Sequence, residues 1–107
     1  MTTLNWDKEF AMEQAADDAE LLEELLEIFK ESLKSDIAII QQGLQDKDAA
    51  KISGASHSIR GAAASLGIQG INDVSLLIEN DSRGGGLGVA AENMPALEDL
   101  LQQLIAL

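Results

Sequence analysis

The sequence predicts an all-α protein, an antiparallel up-down four-helix bundle with a short additional N-terminal helix. Apolar residues recur at spacings of three and four in four successive segments, the pattern of helices that each bury one face. The breaks between segments are short, so consecutive helices must be antiparallel neighbours. No run alternates apolar and polar residues as a half-buried strand does, and only one Trp and two Phe accompany a 46% hydrophobic content. The core must therefore be built from Leu, Ile, Val and Ala. At 107 residues the chain suffices for one modest core, which predicts a single domain over residues 1–107.

Asn5, Trp6 and Asp7 offer caps for a short first helix through about Gln14, a lid with Phe10 as its expected apolar contact. Asp17 or Asp18 then caps a long helix in which Leu22, Leu25, Leu26, Phe29, Leu33, Ile37, Ile40 and Leu44 share a face through about Gln45. Asp46-Lys47-Asp48 makes a turn and caps the next helix, which runs to Leu66, where Gly67 is a left-handed stop. Ile68-Gln69-Gly70 links to a fourth helical segment with Ile71, Val74, Leu77 and Ile78 on one side. Asp81 to Gly86 is expected to be a flexible loop. It lacks the preceding strand and following Lys-Ser/Thr of a phosphate cradle. The last segment places Val89, Leu97, Leu100, Leu101, Leu104 and Ile105 on an apolar stripe. Pro95 either sits in its first turn after Asn93 or kinks a helix that began near Leu87.

Composition excludes several classes of function. The 19 acidic against 7 basic residues give a net charge of −12, which repels nucleic acid and anionic membrane surfaces. There is no cysteine, hence no disulfide framework and no thiolate metal site. No apolar run approaches the ~20 residues of a membrane span, and residues 1–7 lack the basic and apolar regions of a secretory signal. A free-standing, monomeric, cytoplasmic protein is expected. The acidic residues at the start of the long helix (Asp17, Asp18, Glu20, Glu23, Glu24 and Glu27) suit the positive end of its dipole as a solvated face. A di-iron carboxylate bundle needs Glu-x-x-His pairs, which one histidine cannot supply, so no metal site is expected.

That one histidine, His57, stands in the stretch Ser56-His57-Ser58-Ile59-Arg60-Gly61-Ala62-Ala63-Ala64-Ser65-Leu66-Gly67. At about 100° per residue, Ile52, Ser56, Ile59, Ala63 and Leu66 face the core and His57 faces water. Its neighbours one and two turns away are Ser53, Gly54, Gly61 and Ala64, a surface cleared of bulky side chains. Gly inside a helix costs up to ~1 kcal/mol against Ala, so two glycines flanking one histidine argue that something approaches the ring. Arg60, one turn on, can pair with an anion on or near the imidazole. The pattern is a nucleophile with an anion clamp, since neutral imidazole offers a ring lone pair near neutral pH.

The run HSIRGAAASLG, followed by Ile71, Ile78 and Glu79, resembles the histidine-containing phosphotransfer (HPt) domains of His-Asp phosphorelays, and the hydrophobic pattern extends the resemblance from about Phe10 to Leu104. The resemblance implies that His57 carries a phosphoryl group between aspartates of response-regulator receiver domains, or from a hybrid histidine kinase, in two-component signalling. Such a protein lacks a kinase or ATP-binding domain. Arg60, in place of the commoner Lys, would stabilise the phosphoryl group, and Mg²⁺ would sit on the partner receiver, with no cofactor on this chain. In the family the position of Glu79 often holds Gln or Glu near the imidazole. Glu79 would then accept the proton of the inner ring nitrogen and leave the outer one free; the other reading is a surface Glu at a helix end. Gly54, Gly61, Ala64, Ile68, Ile71 and part of the first helix are the expected docking surface around His57.

Three other readings compete. The bundle could be an adaptor that binds a signalling partner with His57 never phosphorylated, but such an adaptor has no use for the glycine clearing or for Arg60. It could be the phosphoacceptor domain of a histidine kinase, which needs an ATP-binding domain downstream. It could be a generic bundle carrying a solvent histidine.

Overall fold

The computed structural model describes residues 3–107, so the first two residues of the expected single domain lie outside it. Five helices follow in order: α1 (Lys8–Gln14), α2 (Ala19–Asp46), α3 (Ala49–Ser65), α4 (Gln69–Arg83) and α5 (Gly88–Ile105). Helix α3 packs on α2 and α4, and α5 packs on α4 and α2, which closes α2–α5 into a four-helix bundle. The short links at residues 47–48, 66–68 and 84–87 turn each helix back along its neighbour. The bundle measures 42 × 25 × 19 Å.

Local chemistry sets the helix ends. Asp18 caps α2, its side chain accepting from Glu20 N and Leu21 N, and Asp48 caps α3 through Lys51 N. Lys47 ends α2 in the left-handed conformation, φ 54°, and Gly67 follows α3 at φ 68°. Gly43 is buried where α2 meets α3. A Cβ there would lie 2.7 Å from Ile52 Cγ1, so only glycine fits the crossing.

Helix α4 has no side-chain cap; the N-terminal strand of chain takes that role. Gln69 N and Gly70 N donate to Asn5 O and Leu4 O, Asp7 N donates to Gly67 O, and the Trp6 indole donates to Leu66 O at 3.0 Å. Residues 3–7 thus form a strap across the α3–α4 turn, satisfying helix-end groups that would otherwise lack partners. A Cβ on Gly70 would run into the backbone carbonyls of Thr3 and Leu4.

The core is one cluster. It includes Leu22, Leu26, Phe29, Leu33, Ile37 and Ile40 from α2, Ile52, Ile59 and Ala63 from α3, Ile71, Val74 and Ile78 from α4, and Leu97, Leu100, Leu101 and Leu104 from α5. Four expectations about single elements need correction. Phe10 is 37% exposed, because α1 buries Ala11 instead and leaves Phe10 lying over Gly67. Leu77 and Ile105 face solvent; on α4 the inward positions between Val74 and Ile78 go to Ser75, and on the last turn of α5 the inward side goes to Leu101 and Leu104, which leaves Ile105 on the outer side. The expected loop from Asp81 starts later, since α4 continues through Arg83. Pro95 lies inside α5, which began at Gly88. It sits on the exposed side together with Ala91, so the carbonyl its missing N–H leaves open is on the solvent face.

Candidate functional site

His57 stands midway along α3, whose inward face carries Ile52, Ala55, Ser56, Ile59 and Ala63. Its side chain is 63% exposed, as the helical spacing predicts. The buried Ser56 returns its hydroxyl to Ile52 O at 2.8 Å, and on α4 the buried Ser75 and Ser82 bond Ile71 O and Ile78 O at 2.7 Å. These self-satisfied small side chains allow α3 and α4 to approach closely. The close approach carries Glu79, between Ser75 and Ser82 on α4, under the imidazole.

Glu79 is 1% exposed and collects three partners. Its Oε2 lies 2.7 Å from His57 Nδ1 and 2.6 Å from Arg83 Nη2, and its Oε1 lies 2.6 Å from Arg60 Nε. Burial pushes this carboxyl upward, but the hydrogen bonds from Arg60 and His57 and their charges outweigh it and hold the group below 4.5. An ionised carboxylate only accepts, so the 2.7 Å contact assigns the proton to Nδ1. The outer nitrogen, Nε2, is then left with its lone pair. Arg60 Nη2 also comes within 3.0 Å of Nδ1, where two donors meet and no hydrogen bond forms.

Of the residues singled out from sequence, His57, Arg60 and Glu79 meet in one cluster, and of the two readings of Glu79 the surface one is excluded by its burial. Gly54 and Gly61 border open space, with no atom within 4 Å of where a Cβ would stand, and Ala64 is exposed. Ile68 and Ile71 do not line this surface. Both are 0% exposed, because Ile68 is pinned under the strap, bridged to Trp6, and Ile71 turns into the bundle from the first turn of α4. Sequence reasoning missed Arg83, whose position four residues after Glu79 on one helix was the available signal.

Two further features lie along α2 and α3. An apolar groove of about 350 Å³ is lined by Leu25, Ile28, Phe29, Ala62 and Leu66, with Gln14 of α1 at its edge. Asp36 on α2 faces the turn after His57: burial raises its carboxyl above 3.8, partly offset by Ser58, and its Oδ2 has no hydrogen-bond partner among the described residues. Among those residues no group of His, Asp and Glu is placed to hold a metal ion, and no helix is long and apolar enough to cross a membrane.

No curated protein matches the chain. A family model does: the one described as Hpt domain matches residues 24–107, from the second turn of α2 to the C-terminal residue.

Proposed function

The chain belongs to the Hpt domain family, and from that premise we propose that it is a single-domain phosphorelay intermediate that carries a phosphoryl group on His57 between receiver aspartates. The observation that carries this reading is the pairing of an exposed imidazole with a buried carboxylate. Because Nδ1 keeps its proton and donates it in a hydrogen bond to Glu79, the Nε2 lone pair faces solvent, where a partner's phosphoryl group can reach it.

Transfer then proceeds by attack of Nε2 on phosphorus. The N–P bond forms as the P–O bond to the donor aspartate breaks, and the aspartate leaves with the electron pair. The ring keeps its Nδ1 proton and becomes a cation, which Glu79 stabilises. The reverse sequence loads a second receiver. The family partner supplies Mg²⁺ in its own site, so this chain needs only a reachable ring, a cation and room. Gly54, Gly61 and Ala64 give the room; Arg60 gives the cation. The apolar groove from Leu25 to Leu66 extends the docking face toward α1, in place of Ile68 and Ile71. The chain acts as a cytoplasmic monomer, and its charge of −12 directs it to protein partners in preference to nucleic acid or membrane.

The test is incubation of the pure protein with a ³²P-labelled phosphoreceiver or hybrid kinase. Acid-labile, alkali-stable label on the wild type, absent from His57→Gln and chased onto a second receiver, is the expected result. Binding of several receivers without label would establish an adaptor instead.

A further inference from the structure

Arg83 has no part in the transfer as described, yet it holds the same carboxylate as His57. The two arginines on Glu79 are not equivalent. Arg83 donates from Nη2 to Oε2 along α4, four residues from the group it holds, so one helix fixes the pair. Although Arg83 is 64% exposed, the carboxylate it meets is buried. Arg60 reaches across from α3 to Oε1, and its Nη2 stops beside Nδ1, a nitrogen that already donates to Oε2. Arg60 therefore brings N–H groups to the edge of the ring that have no acceptor among the described residues, while Oε2 keeps two donors that do not depend on it.

We propose that Arg83 is the fixed partner of Glu79, holding that carboxylate against the His57 ring while Arg60 turns its guanidinium from Glu79 to the phosphoryl group on Nε2. This rests on the phosphoacceptor reading of His57. When Nε2 takes the phosphoryl group, the positive ring faces Glu79 and the phosphoryl oxygens need a cation. Without Arg83, departure of Arg60 would leave a buried carboxylate with the ring as its one partner, an expensive arrangement. Arg60 then stays on Glu79 and the phosphoryl group goes without its clamp. Arg83 acts through Glu79 and touches none of the reacting atoms, which makes it a positioning residue.

The test uses the full chain and phosphoramidate as a small-molecule phosphoryl donor, so that no receiver surface enters. Phosphorylation rates of the wild type, Arg83→Ala, Arg83→Lys, Arg60→Ala and the double alanine variant are compared. Arg83→Ala should slow the reaction about tenfold, the factor set by losing one charge-assisted hydrogen bond. Arg83→Lys should recover most of that rate, and adding Arg60→Ala to Arg83→Ala should change it little, because the clamp is already withheld. Wild-type rate in Arg83→Ala, no rescue by lysine, or losses that multiply in the double variant would overturn the division of roles. A wild type that takes label neither from phosphoramidate nor from a receiver would overturn the phosphoacceptor reading and this inference with it; the two failures differ in whether the wild type is labelled.

Discussion

Glu79 Oε2 and His57 Nδ1 lie 2.7 Å apart, although one side chain is 1% exposed and the other 63%. The pair joins a group fixed in the bundle to a group presented to solvent. The ring is therefore oriented from beneath, by an element on which the docking partner need not act.

The partners of the buried carboxylate make the site part of the acid stability of the fold: Arg60 and His57 outweigh the cost of its burial. The Glu79 carboxyl is held below 4.5 in the folded chain, so its ionisation stabilises the fold above about pH 4.5, and this contribution is lost as pH falls through the lower folded value. Glu79→Gln should be less stable at pH 7 by about 1–3 kcal/mol, with a flatter acid limb in a plot of melting temperature against pH. Parallel acid limbs for the two proteins would contradict this.

The clearing around the histidine should separate stability from transfer. A Cβ at Gly61 meets nothing within 4 Å, so Gly61→Ala should stabilise α3 by about 0.5–1 kcal/mol. Gly61→Leu should keep its helicity and melting temperature while losing transfer from a receiver, because the added side chain occupies the approach to the ring. Normal transfer in a folded Gly61→Leu would remove the argument that the glycines exist for docking.

Asp36 works in the opposite direction from Glu79. Burial raises its carboxyl above 3.8, so its ionised form costs stability at neutral pH and the cost disappears below about pH 3.8, where both folded and unfolded chains are protonated. Asp36→Asn should stabilise the protein at pH 7 by less than about 1 kcal/mol. Denaturant melts at pH 7 and pH 3 should show the gain at the first and not at the second.

The strap across the α3–α4 turn depends on two glycines. Gly70→Ala would push a methyl group into the carbonyls of Thr3 and Leu4 and should cost about 2 kcal/mol or more. Gly67→Ala meets Asp7 O at 2.9 Å and a φ of 68°, and should cost about 1–2 kcal/mol. Chemical denaturation checks both; a loss under 0.5 kcal/mol at Gly70 would mean that the strap detaches at little cost.

Most of the bundle was legible because helical periodicity is a property of one segment at a time. His57 outward, Ser56 and Ile59 inward, Asp48 as a cap and Gly67 as a stop all follow from local spacing, and of Asp17 and Asp18, both open as caps, the structure uses Asp18. What failed depends on a second element. Ile68 and Ile71 sit next in sequence to the His57 helix, but the N-terminal strap covers one and the bundle the other. Phe10 lost its expected burial to Ala11 for the same reason, since which side of α1 meets the bundle is decided by the strap. The burial of Glu79 was open from sequence, as a charged residue at this point in α4 is ordinarily exposed; the small residues Ser56, Ser75 and Ser82 that let the helices close over it gave the only local hint. Arg83 was hidden by the glycines after it, which suggested that the helix had already ended.

Trp6 is the one tryptophan of the chain, which has no tyrosine, and its indole N–H bonds the carbonyl of Leu66 where the His57 helix ends. The molecule therefore contains its own optical reporter. Excited selectively, this ring signals whether the strap is seated on the α3–α4 turn, and a red shift that precedes the loss of helical ellipticity would reveal the strap lifting before the bundle opens. The same emission, followed while a receiver is added, reports whether docking at His57 is felt at the far end of α3, with no label attached to either protein.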